Sequence, residues 1–391
     1  MQVTLTIATG LSAAIWLYLI FARDGFWRSR ERLSRSAAEP AIWPSVVAVV
    51  PARDEADTIR ECLRSLAEQD YPGEFRIVMV DDSSRDGTGD IARNVAESAS
   101  RKMLVVTGAA LEQGWTGKLW ALNQGIRAAT KEAEPEFLWF TDADIAHGRG
   151  TLRALVAKAE TDHRDLVSLM VRLHCSTFWE KLLVPAFVFF FQKLYPFAAI
   201  NNPAKRTAGA AGGCLLVRRK SLVAAGGIEA IRDRLIDDCA LAEAVQNAGG
   251  RLWLGLAEDS HSLRPYTRLD DVWDMVARTA FTQLDYSWMK LVGTVAGMVL
   301  IYLLPPIGVL ALVFHGNELA AILAAIAWAL MTISYVPTLT YYRLPPLIGA
   351  ISLPAAGALY TAMTVSSAWR HLRGKGGKWK DRHYQSAIQK L

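Results

Sequence analysis

The sequence contains few cysteines, and none of them is spaced to form a metal site. Cysteine occurs only four times in 391 residues, with no C-x-x-C pair. This spacing excludes a zinc ribbon, and scattered thiols are typical of a domain that faces the reducing cytosol. The chain also lacks internal repeats and low-complexity tracts. The cysteines are Cys62, Cys175, Cys214 and Cys239.

Charged residues are missing from four long stretches of the chain. Residues 4–22 contain no charged side chain, and a helix of that length can cross a bilayer. This stretch has neither a basic segment before it nor an obvious cleavage site, which favours a membrane anchor over a cleaved signal peptide. Three further uncharged stretches of spanning length lie at residues 291–314, 319–340 and 347–369.

Basic residues flank these apolar stretches. Those that follow the first stretch predict that the next part of the chain is cytoplasmic. Those after the last stretch indicate a cytoplasmic end as well, whereas four crossings would return that end to the outside. Two alternatives stay open: four crossings, or a re-entrant or interfacial segment among the last three. The two basic groups are Arg23, Arg28, Arg30, Arg32 and Arg35, and Arg370, Arg373, Lys375, Lys378, Lys380 and Arg382.

The net charge of +5 is concentrated beside the apolar stretches and not along a soluble surface. This distribution favours contact with anionic lipid over nucleic-acid binding, so we predict a bilayer and no nucleic acid as partners. The predicted organisation is a membrane anchor at 1–22, a basic linker at 23–44, a globular domain at 45–285, membrane segments at 286–370 and a basic tail at 371–391.

Short apolar runs alternate with helical patterns in the first half of the globular domain. Runs at 46–50, 75–80, 103–107 and 137–141 are typical of buried strands, and they predict an α/β fold with a parallel, doubly wound sheet. Polar or glycine-rich clusters follow the carboxyl end of each run, and the amino ends carry none. Since ligands bind at the carboxyl ends of such strands, this pattern predicts an anionic, metal-bound ligand there.

Asp142 and Asp144 follow directly after the last of these runs. Two carboxylates at a buried strand end are balanced well by a divalent cation shared with a diphosphate, since Mg²⁺ takes few protein ligands and completes its shell with phosphate and water. The alternative is that the two aspartates only cap the following turn and helix.

Residues 178–200 are apolar and aromatic but are interrupted by two prolines and several charges. This composition predicts an interfacial segment that lies at the lipid headgroups. The alternative is a helix buried in the protein core.

Six short motifs occur in a fixed order along the chain. They are Pro51-Ala-Arg-Asp-Glu55, Val80-Asp-Asp82 with Asp86-Gly-Thr88, Gly117-Lys118 with Ala121-Leu-Asn123, Asp142-Ala-Asp144, Gly212-Gly213 and Asp237-Asp238. In their order and spacing, over about residues 45–285, the chain resembles family 2 glycosyltransferases. The N-terminal anchor, the Gly-Trp-Thr-Gly-Lys loop and the C-terminal membrane segments most resemble the bacterial hopanoid-biosynthesis-associated members.

The resemblance implies a GT-A fold, which is a nucleotide-sugar-binding, Rossmann-like mixed sheet. It also implies a nucleotide-diphosphate sugar donor, with a UDP-sugar as first choice, and Mg²⁺ or Mn²⁺ as cofactor. Glu55 and Asp82 match carboxylates that hold the nucleoside, although either could instead serve the start of a helix. The remaining donor-binding residues that it implies are Pro51, Arg53, Lys118, Asp142, Gly212, Gly213 and Arg278.

The resemblance also assigns metal and catalytic roles. Asp144 matches a direct metal ligand, and Asp142 matches a contact to the metal or the ribose. Asp238 matches the general base of an inverting transfer, with an ordinary helix N-cap as the alternative. His261 is a weaker candidate metal ligand, and Arg264 is a candidate phosphate contact.

One departure from the family pattern concerns polymer synthesis. Processive members carry a Q-x-x-R-W motif, and the comparable stretch at 273–281 keeps Arg278 without the Gln and the Trp. We therefore expect transfer of a single sugar to a membrane lipid, with a hopanoid as the acceptor that the resemblance suggests. The expected location is the bacterial inner membrane, with several crossings and a cytoplasmic catalytic domain. The alternatives are a processive polysaccharide synthase and a non-catalytic membrane scaffold.

Overall fold

The computed structural model describes residues 2–33, 39–374, 378–379 and 382–383. Arg35 of the predicted basic linker and most of the predicted basic tail lie outside these residues. The strands are β1 (Val46–Ala52), β2 (Phe75–Asp81), β3 (Met103–Thr107), β4 (Phe137–Phe140), β5 (Ile145–Ala146), β6 (Leu166–Arg172), β7 (Leu215–Arg218), β8 (Leu252–Ser262), β9 (Lys378–Trp379) and β10 (Arg382–His383).

The helices fall into a set around the sheet and a set at the chain ends. The first set is α2 (Ile59–Ala67), α3 (Thr88–Ser98), α4 (Gly117–Glu132), α5 (Thr151–Thr161), α6 (Phe178–Leu194), α7 (Phe197–Asn201), α8 (Arg219–Ala224), α9 (Asp237–Asn247) and α10 (Leu269–Ala277). The second set is α1 (Gln2–Phe21), α11 (Trp288–Met298), α12 (Leu304–His315), α13 (Glu318–Tyr341) and α14 (Gly349–Leu372).

The main sheet is mixed, with the strand order β3-β2-β1-β4-β7-β6-β8-β5. Strands β3, β2, β1 and β4 are parallel to one another, as predicted. The prediction of a parallel sheet is wrong at β7, which runs antiparallel to both β4 and β6, and at β5, which runs antiparallel to β8, whereas β6 and β8 are parallel. An apolar run fixes that a strand is buried but not its direction, so only the mixed sheet implied by the GT-A resemblance is confirmed.

Two hydrophobic cores lie on the two faces of this sheet, and β1 contributes to both. Val47 and Val49 pack into one core, whereas Val46, Ala48 and Val50 pack into the other. Successive side chains of a strand point to opposite faces, so a run without polar residues is what a strand covered on both sides requires. The strands are thus buried on both faces, whereas the loops at their carboxyl ends carry polar side chains.

Helix α6 occupies most of the segment predicted to be interfacial at 178–200. Its residues Leu183, Val184 and Phe189 are fully buried, and the hydroxyl of Tyr360 in α14 donates to the carbonyl oxygen of Leu183 at 3.0 Å. Phe178, at the start of the helix, is exposed. The helix is therefore packed against the terminal helices, and its position at the lipid headgroups stays a prediction.

The segment that follows β8 contains helix α10, which ends at Ala277 and is followed by a turn and a short 3₁₀-helix at Thr282–Leu284. The backbone N–H of Phe281 donates to the hydroxyl of Ser367 in α14 at 3.0 Å. A side chain of the terminal helices therefore takes a donor that a continuing α-helix would use internally.

Within the part of the chain that the structure describes, four helical segments are long and apolar enough to cross a membrane, namely Gln2–Phe21, Trp288–Leu310, Glu318–Tyr341 and Pro346–Leu372. They coincide with the four predicted stretches. The second contains a π-helical turn at Val299–Leu303. Ser12 and Trp16 of α1 donate to the carbonyl oxygens of Leu300 and Ile301 at 2.8 and 2.9 Å, so side chains satisfy backbone groups of the irregular turn.

Candidate active site

Five residues predicted for the site come together in one pocket at the carboxyl ends of β1 and β4. They are Pro51, Lys118, Asp142, Gly212 and Asp238. Pro51 lies near the end of β1 and Asp142 follows the adjacent strand β4, whereas Lys118 and Asp238 lie in the first turns of α4 and α9. Polar groups from distant parts of the chain therefore meet at the sheet edge where the sequence pattern predicted a ligand.

Lys118 connects the strand side of the pocket to its helix side. Its ammonium nitrogen Nζ lies 2.8 Å from Asp142 Oδ1 and 3.1 Å from Asp237 Oδ2. Burial alone would lower the pKa of Lys118, but the charges of Asp142 and Asp237 outweigh it and raise the pKa. The lysine is therefore a permanent cation between two carboxylates.

Asp238 accepts hydrogen bonds from two backbone N–H groups. Gly212 N donates to Oδ2 at 2.8 Å, and Cys239 N donates to Oδ1 at 2.7 Å. Burial, followed by the charge of Asp237, raises the pKa of Asp238 to about 6. A carboxylate with this pKa can accept a proton near neutral pH, as a general base must.

Gly212 lies directly beside Lys118 and Asp238. A Cβ at this position would be 3.2 Å from Lys118 Nζ and 3.5 Å from Asp238 Oδ2. The absence of a side chain therefore leaves room for the lysine next to the backbone N–H that donates to Asp238.

Thr141, which precedes Asp142, is fixed by a buried hydrogen-bond chain. Its hydroxyl donates to the carbonyl oxygen of Gly213 at 2.9 Å and therefore accepts from His147 Nε2 at 2.8 Å. His147 Nδ1 then accepts from Ser260 Oγ at 3.0 Å. Burial, and next the charge of His261, lower the pKa of His147 to about 3, so the ring is neutral. This chain joins the strand end with the two aspartates to the Gly212-Gly213 loop.

Arg264 bridges two carboxylates on the other side of the site. Its Nε donates to Asp144 Oδ2 at 2.8 Å, and its Nη2 lies 2.7 and 2.6 Å from the two oxygens of Glu55. Burial alone would lower the pKa of Arg264, whereas Glu55 and Asp144 raise it. Glu55, which the resemblance assigns to the nucleoside, and Asp144, which it assigns to the metal, are thus bound to the same guanidinium group.

Asp142 and Asp144 have the chemistry that a divalent cation needs. Each is already paired with a positive side chain, Lys118 at 2.8 Å from Asp142 and Arg264 at 2.8 Å from Asp144, so a metal would have to share or displace these partners. Within the described part of the chain, no group of three or more His, Cys, Asp or Glu side chains is arranged to hold a metal. A metal held by this pair would therefore take further ligands from a diphosphate and water, which is the usual arrangement for Mg²⁺.

Other predicted site residues lie outside this pocket. Asp82 is fully buried beside Arg53, whose Nη1 donates to its carbonyl oxygen at 2.6 Å. His261 is exposed on β8, and Arg278 is exposed directly after α10. The roles of these four residues in nucleoside, metal or phosphate binding stay predictions.

Two contacts of the site were not predicted from the sequence. Asp237 pairs with Lys118, a contact to which the motif gives no clue. Arg264, predicted as a phosphate contact, instead bridges Glu55 and Asp144, which are 209 and 120 residues away in the sequence. Its position just after β8, at another strand end, is the signal that could have found it.

The mixed sheet with a carboxylate-rich pocket at the carboxyl ends of its strands is the arrangement that the GT-A resemblance predicts. Residues 47–224 match the family model described as glycosyl transferase family 2. The match includes Lys118, Asp142 and Gly212 of the pocket and ends before Asp237 and Asp238.

Curated relatives match over part of their length. The chain is 33% identical over 125 residues to the poly(ribitol-phosphate) beta-N-acetylglucosaminyltransferase TarS of Staphylococcus aureus. The aligned region covers 32% of this chain and 20% of TarS. It is 35% identical over 126 residues to an N-acetylglucosaminyltransferase of Bradyrhizobium elkanii. That alignment covers 30% of this chain and 62% of the relative. The chain thus spans less than two thirds of either relative.

The fold agrees with a solved structure over nearly the whole chain. The mannosyltransferase PcManGT from Pyrobaculum calidifontis, solved in complex with GDP-Man and Mn2+, superposes with a TM-score of 0.57 at 20% identity. The alignment covers 98% of this chain and 100% of that one. At this level of identity the comparison shows a shared fold.

Proposed function

We propose that this protein is a membrane-bound, inverting glycosyltransferase that moves a single sugar from a nucleotide-diphosphate sugar to a membrane lipid. The observation that carries the proposal is the cluster of Asp142, Lys118, Asp237 and Asp238 at the end of the sheet. It combines a fixed cation for a leaving diphosphate with a carboxylate whose pKa of about 6 suits a base.

The donor would occupy the space between the two cation–carboxylate groups. A divalent cation, Mg²⁺ or Mn²⁺, would be held by Asp144 and Asp142 and would neutralise charge on the diphosphate. Glu55 would bind a ribose or base N–H or O–H group through a charge-assisted hydrogen bond. For this to happen, Arg264 must release at least one of its carboxylates and can then face the phosphates. A UDP-sugar is the first donor to test.

Asp238 would carry out the proton transfer. As the acceptor hydroxyl oxygen attacks the anomeric carbon, Asp238 takes the hydroxyl proton and a new carbon–oxygen bond forms. The bond from the anomeric carbon to the phosphate oxygen breaks at the same time, and its electron pair leaves with the nucleoside diphosphate. Lys118 and Asp142 flank this departure, so negative charge develops beside a fixed ammonium. A direct in-line attack inverts the anomeric configuration.

A lipid acceptor is supported by the four apolar helices and by their contact with the catalytic domain. The helices α13 and α14 pack on α6, which leads through α7 toward the Gly212 loop. A lipid hydroxyl at the cytoplasmic surface of a bacterial inner membrane would then lie near Asp238. A hopanoid is the acceptor suggested by the resemblance, and the missing Q-x-x-R-W motif favours a single transfer.

The test is a transfer assay with full-length protein in nanodiscs. Nucleotide sugars are screened with extracted bacterial lipids, and product mass identifies both sugar and acceptor. We expect a mass increase of one sugar, which Asp144→Ala and Asp238→Asn abolish while the fold is retained. Asp90→Asn, an exposed carboxylate paired with Arg93, is the matched control.

Three results would oppose the proposal. Unchanged turnover in both site variants contradicts the assigned roles. A ladder of sugar additions with one purified protein indicates a processive polysaccharide synthase. Nucleotide binding with no transfer to any lipid indicates a scaffold that retains the fold.

A further inference from the structure

Glu180 is a fully buried carboxylate in the first turn of α6, outside the pocket described above. A buried charge is costly unless hydrogen bonds compensate for it. A glutamate at this position of a helix has an ordinary role, because with Thr177 it forms a capping box. That role uses only part of its bonding capacity.

Four donors converge on the two oxygens of Glu180. Oε2 accepts from Ser176 N and Thr177 N, each at 2.9 Å. Oε1 is bonded to His174 Nδ1 at 2.8 Å and accepts from Tyr266 N at 2.7 Å. Although burial raises the pKa of Glu180, these bonds together lower it to about 2, so the group is ionised. The bond from Tyr266 joins two segments that are 86 residues apart, and helix capping does not require it.

Tyr266 belongs to the loop that carries Arg264. The loop begins at Leu263, whose backbone N–H donates to the carbonyl oxygen of Asp144 at 2.7 Å. Arg264 then reaches both Asp144 and Glu55 with its side chain. Two residues later, Tyr266 N is held by Glu180. The loop is thus attached to the metal-site aspartate at one end and to α6 at the other.

Helix α6 is in turn fixed to a membrane helix. The hydroxyl of Tyr360 in α14 donates to the carbonyl oxygen of Leu183, one turn after Glu180. A short series of contacts therefore leads from α14 through α6 and Glu180 to the loop and Arg264. Each contact is buried or half-buried, so competition from water is limited.

We propose that Glu180 is a positioning residue, which holds the loop at 263–268 so that Arg264 stands between Glu55 and Asp144. Glu180 does not touch the donor and acts only through Arg264. Its effect on catalysis rests on the function proposed above, whereas its effect on the loop does not. The seating of the catalytic domain on the membrane helices is thereby coupled to the geometry of the donor site.

The test uses Glu180→Gln. Glutamine keeps one oxygen, which can still accept from Ser176 N and Thr177 N, and it places an amide N–H₂ group opposite Tyr266 N. Two donors then face each other, so the bond to the loop is lost while the helix start is kept. Thr177→Ala is the matched control, because it removes the capping hydroxyl and leaves Glu180 in place.

The first measurement is hydrogen exchange of the peptide spanning 263–269 in the full-length protein. We expect exchange at the Tyr266 amide to become at least about ten-fold faster in Glu180→Gln and to stay unchanged in Thr177→Ala. Equal protection of this amide in wild type and Glu180→Gln overturns the proposal, whether or not the protein transfers sugar. Faster exchange in both variants also overturns it, since that would indicate general loosening of α6.

The second measurement is a double-mutant cycle with Arg264→Ala, read as kcat/KM for the donor. We expect Glu180→Gln to lower this value roughly ten-fold in the wild-type background and less than about two-fold when Arg264 is already absent. An equal loss in both backgrounds overturns the action through Arg264. If wild type shows no transfer while the exchange result holds, the proposed function fails and the positioning of the loop stands.

Discussion

Replacement of Asp238 by Asn separates catalysis from stability, and the structure gives the magnitude of both effects. The proposed base has a folded-state pKa of about 6 against an ordinary value of 3.8. The folded protein therefore binds the proton more tightly than the unfolded chain does. By linkage, wild-type stability falls as pH rises from about 4 through about 6, and this loss is complete above the folded pKa.

The size of this effect follows from the shift. A shift of roughly 2 units corresponds to about 3 kcal/mol at about 1.4 kcal/mol per unit. Asp238 is only half-buried, so screening by water makes this an upper value. Asparagine removes the titration but cannot accept from both Gly212 N and Cys239 N, and one unsatisfied N–H costs about 1–3 kcal/mol at every pH. Near pH 7 the two effects nearly cancel.

The assay is thermal unfolding of wild type and Asp238→Asn across the range from about pH 4 to pH 7. One kcal/mol corresponds to about 2–4 °C for a domain of this size. We expect the unfolding midpoint of the variant to rise relative to wild type by several degrees over this range, while sugar transfer falls by about 10²–10⁴. A gap in midpoint that is constant with pH would refute the raised pKa of Asp238. Full activity of the variant would refute its role as base.

Three further predictions concern the pocket and the core beside it. The rate of sugar transfer should rise with a midpoint near pH 6 as Asp238 ionises, and a rise centred near pH 4 in a pH–rate profile would contradict the shift. Lys118→Gln should weaken nucleotide-sugar binding by about ten-fold or more in calorimetry, since the diphosphate would lose the ammonium and face Asp142 and Asp237 without a compensating charge; unchanged affinity would place the lysine outside the donor site. Gly125→Ala should lower stability by about 1–3 kcal/mol in thermal unfolding, because its Cβ would lie 2.4 Å from Val49 Cγ1, and an unshifted midpoint would show that the core adapts freely.

Patterns within short segments were enough to predict much of the fold. The strands at the start of the domain could be predicted because a strand that is buried on both faces consists almost entirely of apolar residues. The four apolar helices were predicted for a similar reason, since length and absence of charge are local properties. Pro51, Asp142 and Lys118 lie close together at the end of the sheet where the sequence predicted a ligand, because the carboxyl ends of parallel strands meet at one edge.

A local sequence pattern could not predict the direction of a strand, the burial of a helix by other segments or the partner of a charged side chain. The antiparallel direction of β7 depends on the path of the chain through α6 and α7, and its apolar run of Leu215, Leu216 and Val217 reads the same in either direction. The burial of α6 depends on the terminal helices that pack on it, which lie more than 100 residues later. From composition alone, an aromatic helix at the headgroups and one inside the protein look the same.

The sequence by itself determined that a buried sheet places carboxylates at one edge and that apolar helices flank it, because hydrophobic periodicity and charge are local properties of short segments. Only the tertiary structure decided which charges pair. Lys118 joins Asp142 to Asp237, Arg264 joins Asp144 to Glu55, and Glu180 holds the Arg264 loop from 86 residues away. Such pairings act over a few ångströms between segments remote in sequence, so the folded chain is the first level at which they exist.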